Sequence, residues 1–135
     1  MSTILKTEKL DVSEEQHIVA VRQAVRRLAL EIKLSLVDQT KIVTAASELA
    51  RNLLIYGGGG EVILRTLSAG IRHGLKVEFI DEGPGIEDLE LALRDGFTSG
   101  GGMGLGLGGA KRLVNEFEID SAPGRGTRIG ITRWK

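Results

Sequence analysis

The chain has 135 residues, 41% of them hydrophobic, which suits one domain spanning residues 1–135 with a buried core. Its 18 Lys plus Arg balance 18 Asp plus Glu, and zero net charge argues against a nucleic-acid partner, whose phosphates need clustered cations. It contains no cysteine, which excludes disulfides and thiolate metal sites and fits a cytoplasmic location; no apolar run is long enough for a signal peptide or a membrane span.

Residues 3–11 alternate loosely and predict an edge strand. Ser13-Glu14-Glu15-Gln16 has the form of a capping box, and Ile18, Val21, Val25, Leu28 and Ile32 then recur at helical spacing. A second helix is expected from an N-cap at Asp38 to Tyr56, with Ile42, Ala46, Leu49 and Leu53 as its apolar stripe. Gly57–Gly60 ends it. Strands at 61–67 and 74–80 form a hairpin across the turn 68–73. Leu75, Val77 and Phe79 share one face of the second strand, and Asp81 has their parity. A loop from 82 to about 103 includes one helical turn around Leu89–Leu93, and a third helix is expected from Gly104 to Val114. Strands 116–121 and 127–134 close the chain around Pro123-Gly124-Arg125-Gly126. The order β-α-α-β-β-α-β-β predicts an α/β sandwich, with helices packed on one face of a mixed, mostly antiparallel sheet.

Four segments carry candidate chemistry. Glu48 and Asn52, in Ser47-Glu48-Leu49-Ala50-Arg51-Asn52, lie one turn apart on one helix face at the rim of the core. A carboxylate there can serve as a general base, and an amide oxygen can ligate Mg²⁺; a solvated face with Glu48 paired to Arg51 is the plainer alternative. Asp81-Glu82-Gly83-Pro84-Gly85 puts an acid at a strand end, beside glycines that let a flat ligand approach the backbone. Such an acid can accept a hydrogen bond from an exocyclic amine like that of adenine, although Asp and Gly also make ordinary turns. The run Gly100–Gly109, entering a helix, offers bare N–H groups to a phosphate and enough freedom for a lid. Gly124-Arg125-Gly126-Thr127 reads by itself as a tight turn.

Gly104, Gly106 and Gly109 match G-x-G-x-x-G, but they follow a loop and leave no room for a dinucleotide-binding βαβ sheet; no G-x-x-x-x-G-K-[ST] occurs either. In this order the four segments resemble the Bergerat ATP-binding fold of the GHKL superfamily, shared by gyrase, Hsp90, histidine kinases and MutL. The helix of Glu48 and Asn52 resembles its N box. Asp81, Gly83 and Gly85 resemble the first glycine box, Gly102–Gly108 the second, and Gly124, Gly126 and Thr127 the element beside the adenine-binding acid. The likeness covers about residues 38–134. Small size, a short spacer between the glycine boxes, and the SELARN and GLGLGGAKRLV segments are most similar to anti-sigma-factor serine/threonine kinases, in particular the RsbT-like switch kinases of the stressosome.

The resemblance implies an ATP- and Mg²⁺-dependent protein kinase. Adenine would lie against Asp81 with Gly83, Gly85, Ile86 and Thr127. Asn52 would hold Mg²⁺, and Gly102, Met103, Gly104, Leu105 and Gly106 would wrap the phosphates. Glu48 would orient or deprotonate a serine or threonine hydroxyl. The implied partners are STAS-domain antagonists as phosphoacceptors and a PP2C-type phosphatase or a sigma factor, with no nucleic acid and no membrane. One departure bears on rate. Ser99 and three glycines stand where some of these kinases carry a lid cation, and Arg94, Lys111 and Arg112 are the nearby replacements. The alternatives are a weakly catalytic ATP-binding switch and a histidine-kinase catalytic domain, the latter disfavoured because His17 and His73 lie in no acceptor motif.

Overall fold

A computed structural model of the chain describes residues 2–85, 98–99, 103–104 and 107–135. The elements are β1 (Thr3–Val12), α1 (Glu15–Glu31), α2 (Leu36–Ile55), β2 (Gly60–Ala69), β3 (Arg72–Asp81), β4 (Thr98–Ser99), β5 (Met103–Gly104), α3 (Leu107–Arg112), β6 (Glu116–Ser121) and β7 (Thr127–Trp134). A five-stranded sheet has the order β1-β2-β3-β7-β6, and β4 pairs with β5 apart from it. Every pairing among the described residues is antiparallel, where a mixed but mostly antiparallel sheet was expected. Chain reversals cause this: β2 to β3 is a hairpin, and β7 returns beside both β3 and β6.

The helices cover one face of the sheet, giving the expected α/β sandwich. Val62 and Leu64 of β2, Leu75, Val77 and Phe79 of β3, and Ile129 and Ile131 of β7 are buried on that face. Ile42, Ala46, Leu49 and Leu53 of α2 meet them, and Ile18, Val21, Val25 and Leu28 of α1 complete the same core. Both helical stripes are therefore the ones the 3.6-residue period marks.

The helix boundaries differ from expectation, and side-chain hydrogen bonds explain why. The cap of α1 is Glu14 rather than Ser13, because Nδ1 of His17 accepts the backbone N–H of Glu14 at 3.2 Å and of Ser13 at 3.0 Å. Gln16 turns instead to the Glu14 carboxylate, 2.6 Å away. The cap of α2 is Ser35, whose Oγ accepts the Asp38 N–H at 3.1 Å, so the helix begins ahead of Asp38. Strands β2 and β3 run further than expected because only Gly70 and Ile71 connect them, Gly70 taking a positive φ of 63°. The third helix spans Leu107–Arg112 among the described residues; Gly104, its expected start, lies in the β4–β5 pair. The expected turn at Leu89–Leu93 lies outside the described residues.

Asp38, displaced from the cap, ties the start of α2 to the sheet. Its Oδ1 accepts from Arg133 of β7, at 2.7 Å from Nη2 and 3.1 Å from Nε. That hydrogen-bonded guanidinium holds the Asp38 carboxyl below its ordinary value of 3.8. A lowered folded-state pKa gives stabilisation that is complete above the unfolded value and vanishes as pH falls through the folded one. Urea midpoints measured from neutral pH down through the carboxylate range are therefore expected to fall less in Asp38→Asn than in the parent. Equal acid slopes would show that the pair contributes nothing.

Candidate functional site

The C-terminal ends of α2 and β3 meet at one end of the sheet, and four of the anticipated residues meet with them. Asn52 from α2, Asp81 from β3, Gly85 beyond it and Thr127 from β7 line one pocket. Its apolar wall includes Leu49, Leu53, Phe79, Leu107 and Ile129. Strand register supplies the pairing, because Asp81 and Thr127 are direct partners across β3 and β7. Asp81 shares the inward parity of Phe79 and Val77, so its carboxyl enters the helix-covered layer at the edge of that layer.

Local contacts hold this carboxylate in place. The Gly83 N–H donates to Asp81 Oδ1 at 2.8 Å, while Oδ2 has no hydrogen-bond partner among the described residues. Gly57, just past α2, lies under the same group. A Cβ at position 57 would be 2.6 Å from both Cγ and Oδ2 of Asp81. Gly83 is close to both, at 2.9 Å from the Gly57 oxygen and 3.1 Å from Asp81 Oδ1 by the same measure. The site is thus a carboxylate at the mouth of an apolar pocket, with backbone instead of side chains beside it. That chemistry suits a flat, amine-bearing heterocycle, which stacks on apolar walls and donates to one acid.

Thr127 Oγ1 lies 2.8 Å from Ser121 Oγ, which is also within 2.9 Å of the Gly126 carbonyl and donates to one of them. The hydroxyl is therefore oriented by a short polar chain. Gly85 has φ of 79°, and a Cβ there would stand 2.0 Å from the Ala122 carbonyl oxygen, so the chain after Asp81 packs against the β6–β7 turn.

Other anticipated residues lie elsewhere. Glu48 is exposed, one turn before Asn52, and does not line the pocket. The pairing with Arg51 that a plain solvated face would use does not form among the described residues; Arg51 instead approaches Glu15 at 4.0 Å. Met103 and Gly104 form the short strand β5, and Ile86, Gly102, Leu105 and Gly106 lie outside the described residues. Lys111 and Arg112 are exposed on α3. The described residues contain no group of three or more His, Cys, Asp or Glu that could form a metal cage. Asn52 remains the candidate ligand, and its amide oxygen suits Mg²⁺, which keeps several waters and takes few protein ligands when phosphates are present.

Sequence reasoning missed Gly57, Tyr56 and the apolar walls at Leu49 and Phe79 as site residues. Gly57 was read only as the end of α2, and the walls only as core. The available signal was the convergence of α2 and β3 at Asp81, which requires a residue without a side chain wherever the two elements touch.

Comparison with known proteins gives a consistent result. Residues 37–134 match the model of the histidine kinase-, DNA gyrase B- and HSP90-like ATPase family. The serine/threonine-protein kinase RsbT of Bacillus subtilis is 43% identical over 91% of this chain and 92% of its own length. An anti-sigma F factor of Thermoanaerobacter is 31% identical over 91% of this chain and 89% of its own. Among solved structures, the RsbU and RsbW domains of a Mycobacterium tuberculosis protein superpose with a TM-score of 0.63 at 22% identity, covering 96% of this chain and 32% of that one. The SiaB–SiaC complex of Pseudomonas aeruginosa gives 0.54 at 14% identity, covering 98% and 91%. These last two likenesses speak to the fold.

Gly85→Ala would add both a strained φ and a clash with a carbonyl. Thermal denaturation is expected to show a loss of roughly 2–4 kcal/mol, against no loss and a gain of up to about 1 kcal/mol for Gly109→Ala, a helical position where a Cβ meets nothing within 4 Å.

Proposed function

The chain belongs to the histidine kinase-, DNA gyrase B- and HSP90-like ATPase family, and on that premise we propose that it transfers the γ-phosphate of ATP to a serine or threonine of a STAS-domain partner. It is an ATP-binding serine/threonine protein kinase of the partner-switching type. The observation that carries the proposal is the meeting of Asn52, Asp81, Gly85 and Thr127, drawn from three separate motifs, in one pocket.

In this reading adenine enters the apolar pocket, and its amine donates to Asp81 Oδ2, the oxygen that Gly83 leaves open. Thr127, oriented by Ser121, borders the same edge of the base. Gly83 and Gly85, with Ile86, let the backbone lie close to the ring. The Gly102–Gly106 segment, including Met103, Gly104 and Leu105, supplies amides to the phosphates, and the Asn52 oxygen takes one Mg²⁺ position. Magnesium held there by Asn52 would supply positive charge to offset that of the phosphates. Glu48, exposed one turn before Asn52, is free to meet an incoming hydroxyl from the partner and to receive its proton as the phosphorus–oxygen bond to that hydroxyl forms. The bond to the β-phosphate bridging oxygen breaks, and ADP leaves.

Ser99 and the three glycines after it, in place of a lid cation, favour a second reading, an ATP-binding switch in which transfer is slow and partner capture dominates. A PP2C-type phosphatase or a sigma factor as the second partner, and a cytoplasmic location, complete the proposal. No described helix is long and apolar enough to cross a membrane.

Incubation with γ-labelled ATP, Mg²⁺ and a STAS-domain protein tests it. Label is expected on serine or threonine of the partner, with transfer falling by about 10²-fold or more in Glu48→Ala while ATP affinity stays within a few-fold of the parent. Binding without transfer in the parent would select the switch reading, and no ATP binding would overturn both. In Gly57→Ala the new methyl displaces the Asp81 carboxylate, so calorimetry should show ATP affinity reduced roughly tenfold or more. Unchanged affinity would remove Asp81 from the adenine site.

A further inference from the structure

The end of the molecule remote from the ATP pocket has the composition of an interface. Eight large hydrophobic residues are exposed among those described, and six of them (Ile4, Leu5, Leu30, Leu36, Val37 and Ile71) lie at this end. It comprises the start of β1, the α1–α2 connection and the β2–β3 turn. Ile71 occupies the turn tip with 98% of its surface exposed, where a polar residue is the ordinary choice. Two of these six residues, Leu5 and Ile71, wall a cleft of about 510 Å³ together with Ile32, Lys33, His73 and Lys135.

The charges around the cleft are unequal. Glu31 also borders it, but its carboxylate is already engaged by Lys6 at 3.3 Å and Arg27 at 3.6 Å. Lys33 and Lys135 have no ion pair among the described residues, and the nearby Arg72 guanidinium lies over the Trp134 ring, 5.2 Å from its centroid. The excess is cationic, and it rims apolar side chains.

Lys33 adds an independent observation. It ends α1 with φ of 60°, the one non-glycine residue with positive φ among those described. Its place is the C-terminal turn where Leu34 N–H donates to the Ala29 carbonyl at 3.0 Å, a position glycine fills without strain. The backbone therefore accepts a cost to hold an ammonium group at the cleft.

From these three features we infer that this end is a second protein-docking surface, distinct from the ATP pocket, for a partner segment that sets apolar side chains between flanking carboxylates. The ligand class follows from complementarity: the apolar residues take the side chains, while Lys33, Lys135 and Arg72 take the acids. A membrane fits less well. The surface is a cleft with an acidic residue in its wall. Because Lys6 and Arg27 are already paired with Glu31, only Lys33, Arg72 and Lys135 remain for a ligand among the described residues, fewer than the roughly four to eight basic residues that anionic lipid recruits. The inference does not depend on phosphoryl transfer. A kinase docked here keeps its ATP pocket open at the other end of the sheet.

Trp134, the chain's single tryptophan, packs over Gly74 at this end and reports on the surface directly. The probe is a synthetic peptide of about 14 residues alternating glutamate with leucine and phenylalanine, compared with its lysine counterpart and followed by Trp134 fluorescence. The acidic peptide is expected to bind saturably and at least tenfold more tightly than the basic one. Ile71→Ser should weaken it by roughly tenfold through the lost apolar contact. Lys33→Gly should weaken it severalfold while raising the thermal midpoint, a pair of opposite effects that a folding defect cannot produce. ATP affinity should be unchanged in both variants, which separates this surface from the nucleotide site. Equal binding of the two peptides, or no effect of either variant, would overturn the inference. So would Ile71-dependent self-association in sedimentation, or Ile71-dependent binding to phosphatidylglycerol vesicles in place of the peptide.

Discussion

The closeness of α2 to β3 at their C-terminal ends is the constraint on which the rest of the site depends. Where the two elements meet, the Asp81 carboxyl fills the space that any side chain at position 57 would need. This contact sets the depth of the pocket, because α2 carries Asn52 and Leu49 to one wall while β3 carries Phe79 and Asp81 to the other. A wider junction would admit water beside the acid. A narrower one would leave no room for the carboxylate. The core behind it, built from two helical stripes and one sheet face, holds that spacing because close-packed interiors deform little.

Strand β3 illustrates how environment gives two acids different uses. Glu78 lies on the sheet face away from the helices, almost fully buried, and receives Arg65 from β2 and Arg128 from β7. Its charge is compensated on both sides, and it joins three neighbouring strands across the sheet. Asp81, three residues later on the opposite face, accepts one backbone N–H and keeps an oxygen open toward the pocket. The first acid is structural because its partners satisfy it, and the second is available because glycines stand where partners would be.

Much of this was legible in the sequence. The helical stripes, the hairpins and the parity of Asp81 follow from periods of 3.6 and 2 residues, and these survive because burial enforces them. Helix ends were less legible. Several residues competed to cap α1 and α2, and Glu14, held by His17, and Ser35 prevailed through hydrogen bonds that depend on chain geometry. The same limit applied to Gly57. Its role is a tertiary contact with a strand that begins fifteen residues later, and no local pattern encodes it. Gly104, expected to open the third helix, instead pairs with Thr98 in a short strand pair, a contact that no helical period encodes.

The strand order has a consequence for how the molecule is made. β7 is formed from the last strand-forming residues in the sequence, yet it lies between β3 and β6, inside the sheet and not at its rim. During synthesis β1, both long helices and the β2–β3 hairpin can assemble first, with the far side of β3 exposed as an unpaired edge. Until residues 127–134 leave the ribosome, Asp81 lacks its cross-strand neighbour Thr127 and Glu78 lacks Arg128. A nascent chain thus holds half of the Asp81 pocket and a sticky strand at the same moment, and the same closing step completes the first and conceals the second.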